Sequence, residues 1–417
     1  MGEGRTAACL AVGSELMGDR RLDSNSLTVT RTLARYGVPV CEKRVVGDSV
    51  ELVAAAIREL VARHDLVVIT GGLGPTADDV TRDGVALAVG RPIAVDAEVE
   101  GWIRERYAEL GRRMPEICST MARVVEGSRP LRNRRGSAPG LLYEAHGRII
   151  AAFPGVPWEM EEMLERDLVA EIAGWSGGAV RLSRTLLLGG VVESETEDRI
   201  RHLYPRFGRE NVTILASYGV LRLVLTADGD EAAARRRLQT METAFREILG
   251  ADVAGVDVDG LATVVLAALR RRGETLAAAE SCPGGLLSAR LTDVAGASEA
   301  YVGGVVAYSN RLKEELLGVP SDALLAHGAV SAEVARAMAA GARQRLQADW
   351  GVGVTGIAGP GGGTADKPVG LVHWAVAGPG VAEDHRRVFM GDRGIVREWS
   401  ANAALDTLRR LLNEDRH

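Results

Sequence analysis

The sequence predicts an α/β protein in which two α/β domains with parallel-type sheets are joined by a small α+β module. At 417 residues the chain is too long for one ordinary core, and its length alone suggests about two or three domains. Short apolar strands alternate with amphipathic helices in its N-terminal and C-terminal parts, which is the pattern of a parallel sheet covered by helices. The stretch between these parts carries a hairpin pattern and a long polar helix.

The composition is that of a soluble globular protein, with 25% charged and 46% hydrophobic residues. The net charge is −6 with no block of like charge, which argues against dedicated nucleic-acid binding. No apolar run reaches the roughly 18 residues of a membrane span, and Ala7–Val12 is too short for a signal peptide. Four scattered cysteines without a CxxC pair indicate reduced thiols. We therefore expect a cytoplasmic protein without a membrane partner.

The N-terminal part begins with the predicted strand Ala7–Val12. Predicted helices Ser26–Tyr36 and Ser49–Arg63 alternate with predicted strands Val38–Val46 and Leu66–Thr70. The last strand leads directly into a glycine-rich loop, and ligands of open parallel sheets sit at the carboxyl ends of strands.

This loop, Gly71–Thr81, has the composition of an anion site. Glycines after a strand allow a phosphate to approach the backbone, and Asp78 and Asp79 offer oxygen ligands to a divalent metal. On composition alone, an equally weighted alternative is that Thr76 or Asp78 only caps the helix that follows.

The middle segment shows no cluster of catalytic residue types. It contains a predicted strand Arg184–Gly190, a hairpin of Val212–Ser217 with Val220–Ala227, and a polar helix Asp230–Leu249. We expect a role in spacing or dimerisation.

The C-terminal part carries the chemistry that the sequence supports best. A strand, Thr275–Ala279, runs into the polar corner Glu280–Gly285, and a helix follows. Such a corner exposes backbone N–H groups that suit an anion, phosphate above all. Ser298, Tyr308 and Lys313 lie downstream and provide the parts of a Ser/Lys acyl-transfer site.

The residues alone leave the nucleophile open. Ser281 and Cys282 are the first choices, because they stand at a strand end beside a glycine turn. Strands are predicted at Trp350–Thr355, Val369–Ala377 and His385–Met390. The glycine run after Thr355 is not a P-loop, and neither a GxSxG elbow nor HExxH is present. The isolated histidines predict no metal in this part.

Six ordered motifs resemble the C-terminal domain of the CinA family, a nicotinamide-nucleotide amidohydrolase. They are AES-C-x-GG, VVAYSN-x-x-K, HGAVS, VTGIAGPGGG, KPVG and GDR, within residues 258 to 412. Proline stands at position 283, where the family usually has threonine, and it removes a backbone donor and a hydroxyl.

The N-terminal part also resembles this family, through VGSELMGDRRLDSN, VGD, GGLGPTADDVTRD and FPGVPWEM within residues 5 to 170. The corresponding family domain is related to molybdopterin-binding domains and is associated with metal-dependent ADP-ribose pyrophosphatase activity. The resemblance also implies a KH-like middle domain, but a GXXG loop between helices is absent, so RNA binding is not expected.

The resemblance implies roles for particular residues. In the C-terminal domain the nucleophile would be Ser298 and the base Lys313, with Tyr308 assisting proton transfer or orienting the pair. The substrate-binding residues would be Glu280, Ser281, Gly284, Gly285, Thr355 and Arg393. The N-terminal ligand would be bound by Glu15, Asp23, Asn25, Gly71, Gly72, Gly74 and Thr76, and its metal by Asp78 and Asp79.

Together these observations predict three domains, at residues 1–170, 171–257 and 258–417. The predicted function is nicotinamide mononucleotide deamidation without a cofactor, with ADP-ribose hydrolysis by the N-terminal domain and a divalent metal. Small nucleotides are the expected partners, nucleic acid is not, and a homodimer is expected. The alternative is a non-catalytic protein that binds a nucleotide or pterin and acts in competence or DNA-damage response. A third interpretation, drawn from Pro283, is a pyrophosphatase with a degenerate C-terminal half.

Overall fold

A computed structural model describes residues 5–19, 21–175 and 177–413. Arg20 of the first N-terminal motif and residues 414–417 lie outside this description. The chain divides into two compact units, Met1–Leu182 with Ala227–Arg236 and Ser183–Thr226 with Arg237–His417. The predicted α/β class is confirmed. In the described ranges, no helix has the length and apolar character needed to cross a membrane.

The first unit is built on a six-stranded sheet in the order β2-β1-β3-β8-β7-β6. The strands of this unit are β1 (Ala7–Val12), β2 (Val40–Val46), β3 (Leu66–Thr70), β4 (Ile93–Val95), β5 (Arg123–Val125), β6 (Ser128–Leu131), β7 (Gly140–Ala145) and β8 (Arg148–Phe153). Strands β4 and β5 pair with each other in a separate two-stranded sheet. Its helices are α1 (Asn25–Arg35), α2 (Val50–Arg63), α3 (Thr81–Val89), α4 (Ala97–Glu109), α5 (Pro157–Met163) and α6 (Val169–Ile172). Strands β2, β1, β3 and β8 are parallel, whereas β7 and β6 extend the sheet in antiparallel fashion.

The parallel strands bring the glycine-rich loop after β3 and the segment after β1 to one edge of this sheet. Strands β1 and β3 are buried along their whole length and pair in register from Ala7–Leu66 to Ala11–Thr70. Their carboxyl ends therefore lie side by side. At that edge Gly71 has φ of 98°, and a Cβ there would lie 2.3 Å from the carbonyl oxygen of Val12. Only glycine fits this close approach.

A four-stranded sheet in the order β10-β11-β9-β12 follows. The elements of this region are β9 (Ala179–Gly189), α7 (Glu193–Ile200), α8 (Tyr204–Phe207), β10 (Val212–Ser217), β11 (Val220–Asp230), α9 (Glu231–Leu249) and β12 (Val253–Val256). The predicted hairpin is confirmed, because β10 and β11 pair antiparallel from Val212–Leu225 to Ser217–Val220.

The C-terminal sheet has five strands in the order β14-β13-β15-β16-β17. Its elements are α10 (Leu261–Arg272), β13 (Leu276–Glu280), α11 (Leu286–Thr292), β14 (Tyr301–Val306), α12 (Asn310–Leu317), α13 (Ser321–His327), α14 (Ala332–Arg345), β15 (Trp350–Gly356), β16 (Leu371–Gly378), β17 (Val381–Val388) and α15 (Arg393–Asn413). Strands β14, β13 and β15 are parallel, and β16 and β17 are antiparallel. One apolar cluster joins the sheet to α10, α11 and α15, and another joins it to α12, α13 and α14.

The predicted boundaries hold best where strands are apolar. Strands β1 and β3 have the predicted ends, and β15 is one residue longer than predicted. Strand β17 was predicted at His385–Met390 but spans Val381–Val388. It is the edge strand of the sheet and carries the polar sequence Glu383–Arg387, which lacks the apolar signal of a buried strand.

Candidate functional site

The polar corner after β13 is organised by the buried carboxylate of Glu280. This carboxylate accepts hydrogen bonds from the backbone N–H groups of Gly285 at 2.8 Å, Leu287 at 3.1 Å and Ser288 at 2.9 Å, and from the Ser288 hydroxyl at 2.6 Å. The N-terminus of α11 thus already binds an anion, which belongs to the protein itself. The predictions that Glu280 and Gly285 bind a ligand, and that these amides bind a phosphate, are wrong for this reason.

Lys313 lies in the first turn of α12 and is only 1% exposed. Its Nζ lies 2.9 Å from the carbonyl oxygen of Ala307, 3.3 Å from that of Tyr308 and 3.0 Å from Ser281 Oγ. Strands β13 and β14 are parallel and pair Glu280 with Val306. Their ends therefore meet at one edge, which brings Ser281 and Lys313 together.

Burial changes the protonation of this lysine. It lowers the pKa of Lys313 from 10.5 to about 8, because an ammonium loses its hydration in a closed site. A neutral amine has two N–H donors and one lone pair. The two carbonyl oxygens match the two donors, so the lone pair is left to accept a hydrogen bond from the Ser281 hydroxyl.

Cys282 is unsuited to the role of nucleophile. It is buried in the apolar cluster with α10, α11 and α15, and burial raises the pKa of its thiol, which disfavours the reactive thiolate. Of the two candidates that the residues alone had suggested, only Ser281 contacts the lysine.

Ser298 lies at the other end of β14 from Lys313. It belongs to a 3-10 turn, Ala297–Glu299, that precedes β14, whereas Lys313 follows that strand. A strand of six residues is about 20 Å long. The predicted Ser298–Lys313 pair is therefore wrong, because the two side chains lie at opposite edges of the sheet.

A cavity of about 380 Å³ opens beside Ser281 and Lys313. Of the predicted substrate-binding residues, Ser281, Gly284, Thr355 and Arg393 line it, and so does Tyr308. Tyr308 is 63% exposed, and its hydroxyl accepts a hydrogen bond of 3.0 Å from Arg393 Nη2. This contact orients Arg393 and does not connect the phenol to Ser281 or Lys313, so the predicted assistance in proton transfer has no support in the geometry.

The cavity also contains an arginine, Arg397, that was not among the residues predicted from the sequence. Arg397 lines it and donates from Nε to the carbonyl oxygen of Pro283 at 2.7 Å. Its spacing of four residues from Arg393 on one predicted helix was a signal that could have found it. Residue 283 contributes no donor to the Glu280 contacts, so proline leaves this helix start intact.

The first unit has its own cavity, of about 250 Å³, at the edge formed by β1 and β3. The predicted ligand-binding and metal-binding residues that line it are Glu15, Asp23, Asn25, Gly71, Gly72, Asp78 and Asp79. Gly74 and Thr76 are not among its lining residues. Asn25 Nδ2 donates to the Gly155 carbonyl oxygen at 2.9 Å, and its buried Oδ1 accepts no hydrogen bond from any residue in the described ranges. A donor on a ligand would satisfy this oxygen.

Asp79 holds the glycine loop together. Its carboxylate accepts from the Gly74 N–H at 2.7 Å, from the Thr76 N–H at 2.8 Å and from the Thr76 hydroxyl at 2.6 Å. Helix α3 begins at Thr81 without a side-chain cap, so the capping alternative for Thr76 and Asp78 is wrong. No group of three or more His, Cys, Asp or Glu side chains in the described part of the chain is arranged to bind a metal. Asp78 and Asp79 do not form a preformed metal site.

The mixed sheets, the glycine loop and the buried Ser/Lys contact define an α/β protein of the molybdopterin-binding and CinA C-terminal type. Residues 8–173 match the family of the probable molybdopterin binding domain, 183–255 that of the damage-inducible protein CinA KH domain, and 258–412 that of the CinA C-terminal domain. A CinA-like protein of Frankia casuarinae is 42% identical over 97% of this chain and 96% of its own length. One from Solibacter usitatus is 39% identical over 97% and 98%, respectively. The chain belongs to the CinA family.

A solved structure is also similar to part of the chain. It is that of the competence/damage inducible protein CihA from Agrobacterium tumefaciens, which is 41% identical, covers 37% of this chain and 94% of its own, and has a TM-score of 0.36.

The role of Glu280 predicts a loss of stability without any ligand. Glu280→Gln replaces one acceptor oxygen by an NH₂ group that faces backbone donors, so we expect the free energy of unfolding to fall by about 2–4 kcal/mol. Urea unfolding, with hydrogen exchange of the α11 amides, measures this change. The control Glu299→Gln alters a 68% exposed side chain and should stay within about 0.5 kcal/mol of the parent. If the parent, Glu280→Gln and Glu299→Gln have the same free energy of unfolding, Glu280 is not needed to stabilise the helix start and again becomes a candidate for ligand binding.

Proposed function

We propose that the C-terminal cavity hydrolyses the carboxamide of nicotinamide mononucleotide, with Ser281 as nucleophile and Lys313 as base. The contact of 3.0 Å between Lys313 Nζ and Ser281 Oγ carries this proposal. Amide hydrolysis at a serine requires a base that is neutral near the working pH. The lowered pKa of the buried lysine meets this requirement.

In the first half of the reaction, neutral Lys313 takes the proton of the Ser281 hydroxyl while Oγ attacks the carboxamide carbon. The C=O π pair moves to oxygen and gives a tetrahedral intermediate. When this intermediate collapses, the C–N bond breaks and the lysine returns the proton to nitrogen, so ammonia leaves. The product is an ester of Ser281, and the lysine is neutral again.

The second half repeats these steps with water. Neutral Lys313 takes a proton from water, whose oxygen attacks the ester carbon, and Ser281 Oγ leaves with that proton. Nicotinate mononucleotide is released, and both side chains return to their first state. Since each proton passes through Nζ, this route needs no metal.

The substrate phosphate requires a positive group in the same cavity. Because Glu280 occupies the N-terminus of α11, we assign phosphate binding to Arg393 and Arg397, which line the cavity from one face of α15. Arg393 is held by Tyr308 and by the Gly359 carbonyl oxygen at 3.0 Å, which fixes its guanidinium before the ligand arrives.

A pair of serine variants tests the nucleophile. Ser281→Ala should lower kcat for ammonia release at least about 10³-fold, because no hydroxyl that could act as nucleophile remains beside the base. Ser298→Ala is the matched control and should keep the parent's kcat. Steady-state assays with nicotinamide mononucleotide measure both. A fall in Ser298→Ala with normal Ser281→Ala would reverse the assignment. If the parent binds the mononucleotide but releases no ammonia, the chain is a binding protein.

The lysine predicts the pH profile of the amidase. Below the pKa of about 8, Lys313 is protonated and cannot accept the serine proton. We therefore expect kcat/KM to rise about tenfold per pH unit up to that pKa and to level off above it. Initial rates between about pH 6 and pH 10 (roughly two units on either side of the predicted change) would record this profile. A flat profile below pH 8 would contradict a lysine base.

A second proposal concerns the cavity of the first unit, which we infer binds ADP-ribose and cleaves its pyrophosphate. The support is the glycine loop at the carboxyl edge of β3 and the open acceptor Asn25 Oδ1 beside it. A divalent metal would neutralise the phosphate charge. Because Mg²⁺ often binds through only one or two carboxylates together with substrate phosphates, we expect it to bind with the substrate. Asp78 is the carboxylate that remains beside the loop.

Release of AMP and ribose 5-phosphate from ADP-ribose tests this activity. We expect activity with added Mg²⁺ and its loss with a chelator, and a fall of at least about tenfold in Asp78→Asn, since one carboxylate ligand is removed. The Ser281→Ala chain is the control, because its first unit is unchanged. Mg²⁺-dependent cleavage that is equal in Asp78→Asn and the parent would exclude Asp78 as the ligand.

A further inference from the structure

Aromatic side chains of the second unit form a continuous stack. The chain has only six tryptophans and four phenylalanines, and two of these tryptophans and one phenylalanine lie in this cluster. Trp374 stacks on His385 with ring centroids 5.3 Å apart and on Phe389 at 6.1 Å. Phe389 stacks on Trp399 at 5.4 Å. The planes of successive rings differ by 18° to 24°.

Trp374 and Phe389 are buried in the apolar cluster, whereas His385 and Trp399, at the two ends of the stack, are only half-buried. The stack lines a cavity of about 310 Å³ between β17 and α15. The floor is formed by the inward-facing residues of the edge strand β17, including His385, and the wall by Trp399 and its neighbours on α15. Gly190 and Gly219 border the cavity at one end. A Cβ on Gly219 would lie 2.9 Å from the Trp399 ring.

The lining of this cavity includes an arginine, Arg387, that is placed to bind an anion. The carboxylates of the cavity already have partners, since Glu383 forms a hydrogen bond of 2.5 Å with His385 and Asp406 forms an ion pair of 2.9 Å with Arg410. Arg387 is exposed, and its guanidinium carbon lies 5.8 Å from the centroid of Phe389 and 5.7 Å from that of Trp399. Among the residues that the structure describes, no carboxylate forms an ion pair with Arg387. Its positive charge is therefore available at the mouth of the stack.

We propose that this cavity is a binding site for a heteroaromatic ring that carries a phosphate group, the chemistry of a nucleoside monophosphate. The ring joins the aromatic stack, where base–aromatic stacking tolerates any base, and the phosphate binds Arg387. The volume lies at the lower end of the roughly 300–1,000 Å³ of small-molecule sites. One ring with a short anionic arm fits this volume, whereas a dinucleotide exceeds it.

This site is separate from the amidase cavity. The two share no lining residue, although both use α15: its first turns, with Arg393 and Arg397, face the amidase cavity, and the following turns, from Trp399 on, face the stack. The proposal therefore stands whether or not the chain releases ammonia, because its test measures binding and not turnover.

Calorimetric titration of the full chain with AMP tests the site. Arg387→Gln removes the cation and Trp399→Leu removes one ring. Arg386→Gln is the matched control, because alternate residues of a strand face opposite sides of the sheet and Arg386 pairs with His373 rather than with Val372. Adenosine and ribose 5-phosphate serve as probes that lack the phosphate or the ring.

We expect AMP to bind the parent and the Arg386→Gln chain with equal Kd. Trp399→Leu should raise the Kd of this site at least about fivefold, the lower end of the effect of losing one base–aromatic stack. Arg387→Gln should raise it by at least a similar factor, because a hydrogen bond between charged groups is lost. Adenosine and ribose 5-phosphate should both bind more weakly than AMP. AMP can also enter other cavities. If the binding heat and the Kd of both variants equal those of the parent, AMP binds at another cavity and the proposal is overturned. Absence of AMP binding at millimolar concentration would overturn it as well.

Discussion

A buried lysine amine loses its hydrogen bonds to water, so protein groups have to replace them. For Lys313, the carbonyl groups that do so lie at the end of β14. The carbonyl oxygens of Ala307 and Tyr308 and the hydroxyl of Ser281 surround its Nζ. These three contacts hold the first turn of α12 against the end of β14 and beside Ser281. The approach of α12 to α14 is equally restricted, since a Cβ on Gly341 would lie 1.9 Å from the Leu317 carbonyl oxygen. The protein thereby holds a neutral base against a serine.

Glu280 imposes the complementary constraint on the other side of the corner. A carboxylate that is 0% exposed has to be compensated, and the N-terminus of α11 provides this compensation. The backbone N–H groups that could bind a phosphate therefore already donate to Glu280. The positive charge of the cavity comes instead from the arginines of α15. Arg393 and Arg397 can meet a phosphate without disturbing the strand end that holds Ser281.

The sequence predicted those parts of the fold in which apolar strands are buried, such as β1 and β3, and the glycine loop that needs a close approach at Gly71. It also predicted that Ser298 contacts Lys313, which the structure contradicts, because the two residues lie at opposite ends of β14. The choice of Ser298 came from the resemblance, although the sequence pattern already contained a physical signal against it. Parallel strands end at the same edge of a sheet, so residues that follow β13 and β14 lie close together there. Residues before β14 do not. The hydrogen bonds of Glu280 to the start of α11 could not be predicted from the sequence. A polar residue at the end of a strand can bind either a ligand or the N–H groups of the following helix, and the sequence pattern is the same in both cases.

The proposed amide hydrolysis requires a covalent bond between Ser281 and the acyl group of the substrate. Rapid quenching followed by peptide mass analysis tests for this bond most directly. During turnover of nicotinamide mononucleotide at a pH above the pKa of Lys313, we expect the acyl adduct on the peptide that contains Ser281. The adduct should disappear in Lys313→Met, whose side chain cannot accept the proton. An adduct on Ser298 or Cys282 would contradict the proposed chemistry, as would ammonia release at the parent's rate by Ser281→Ala.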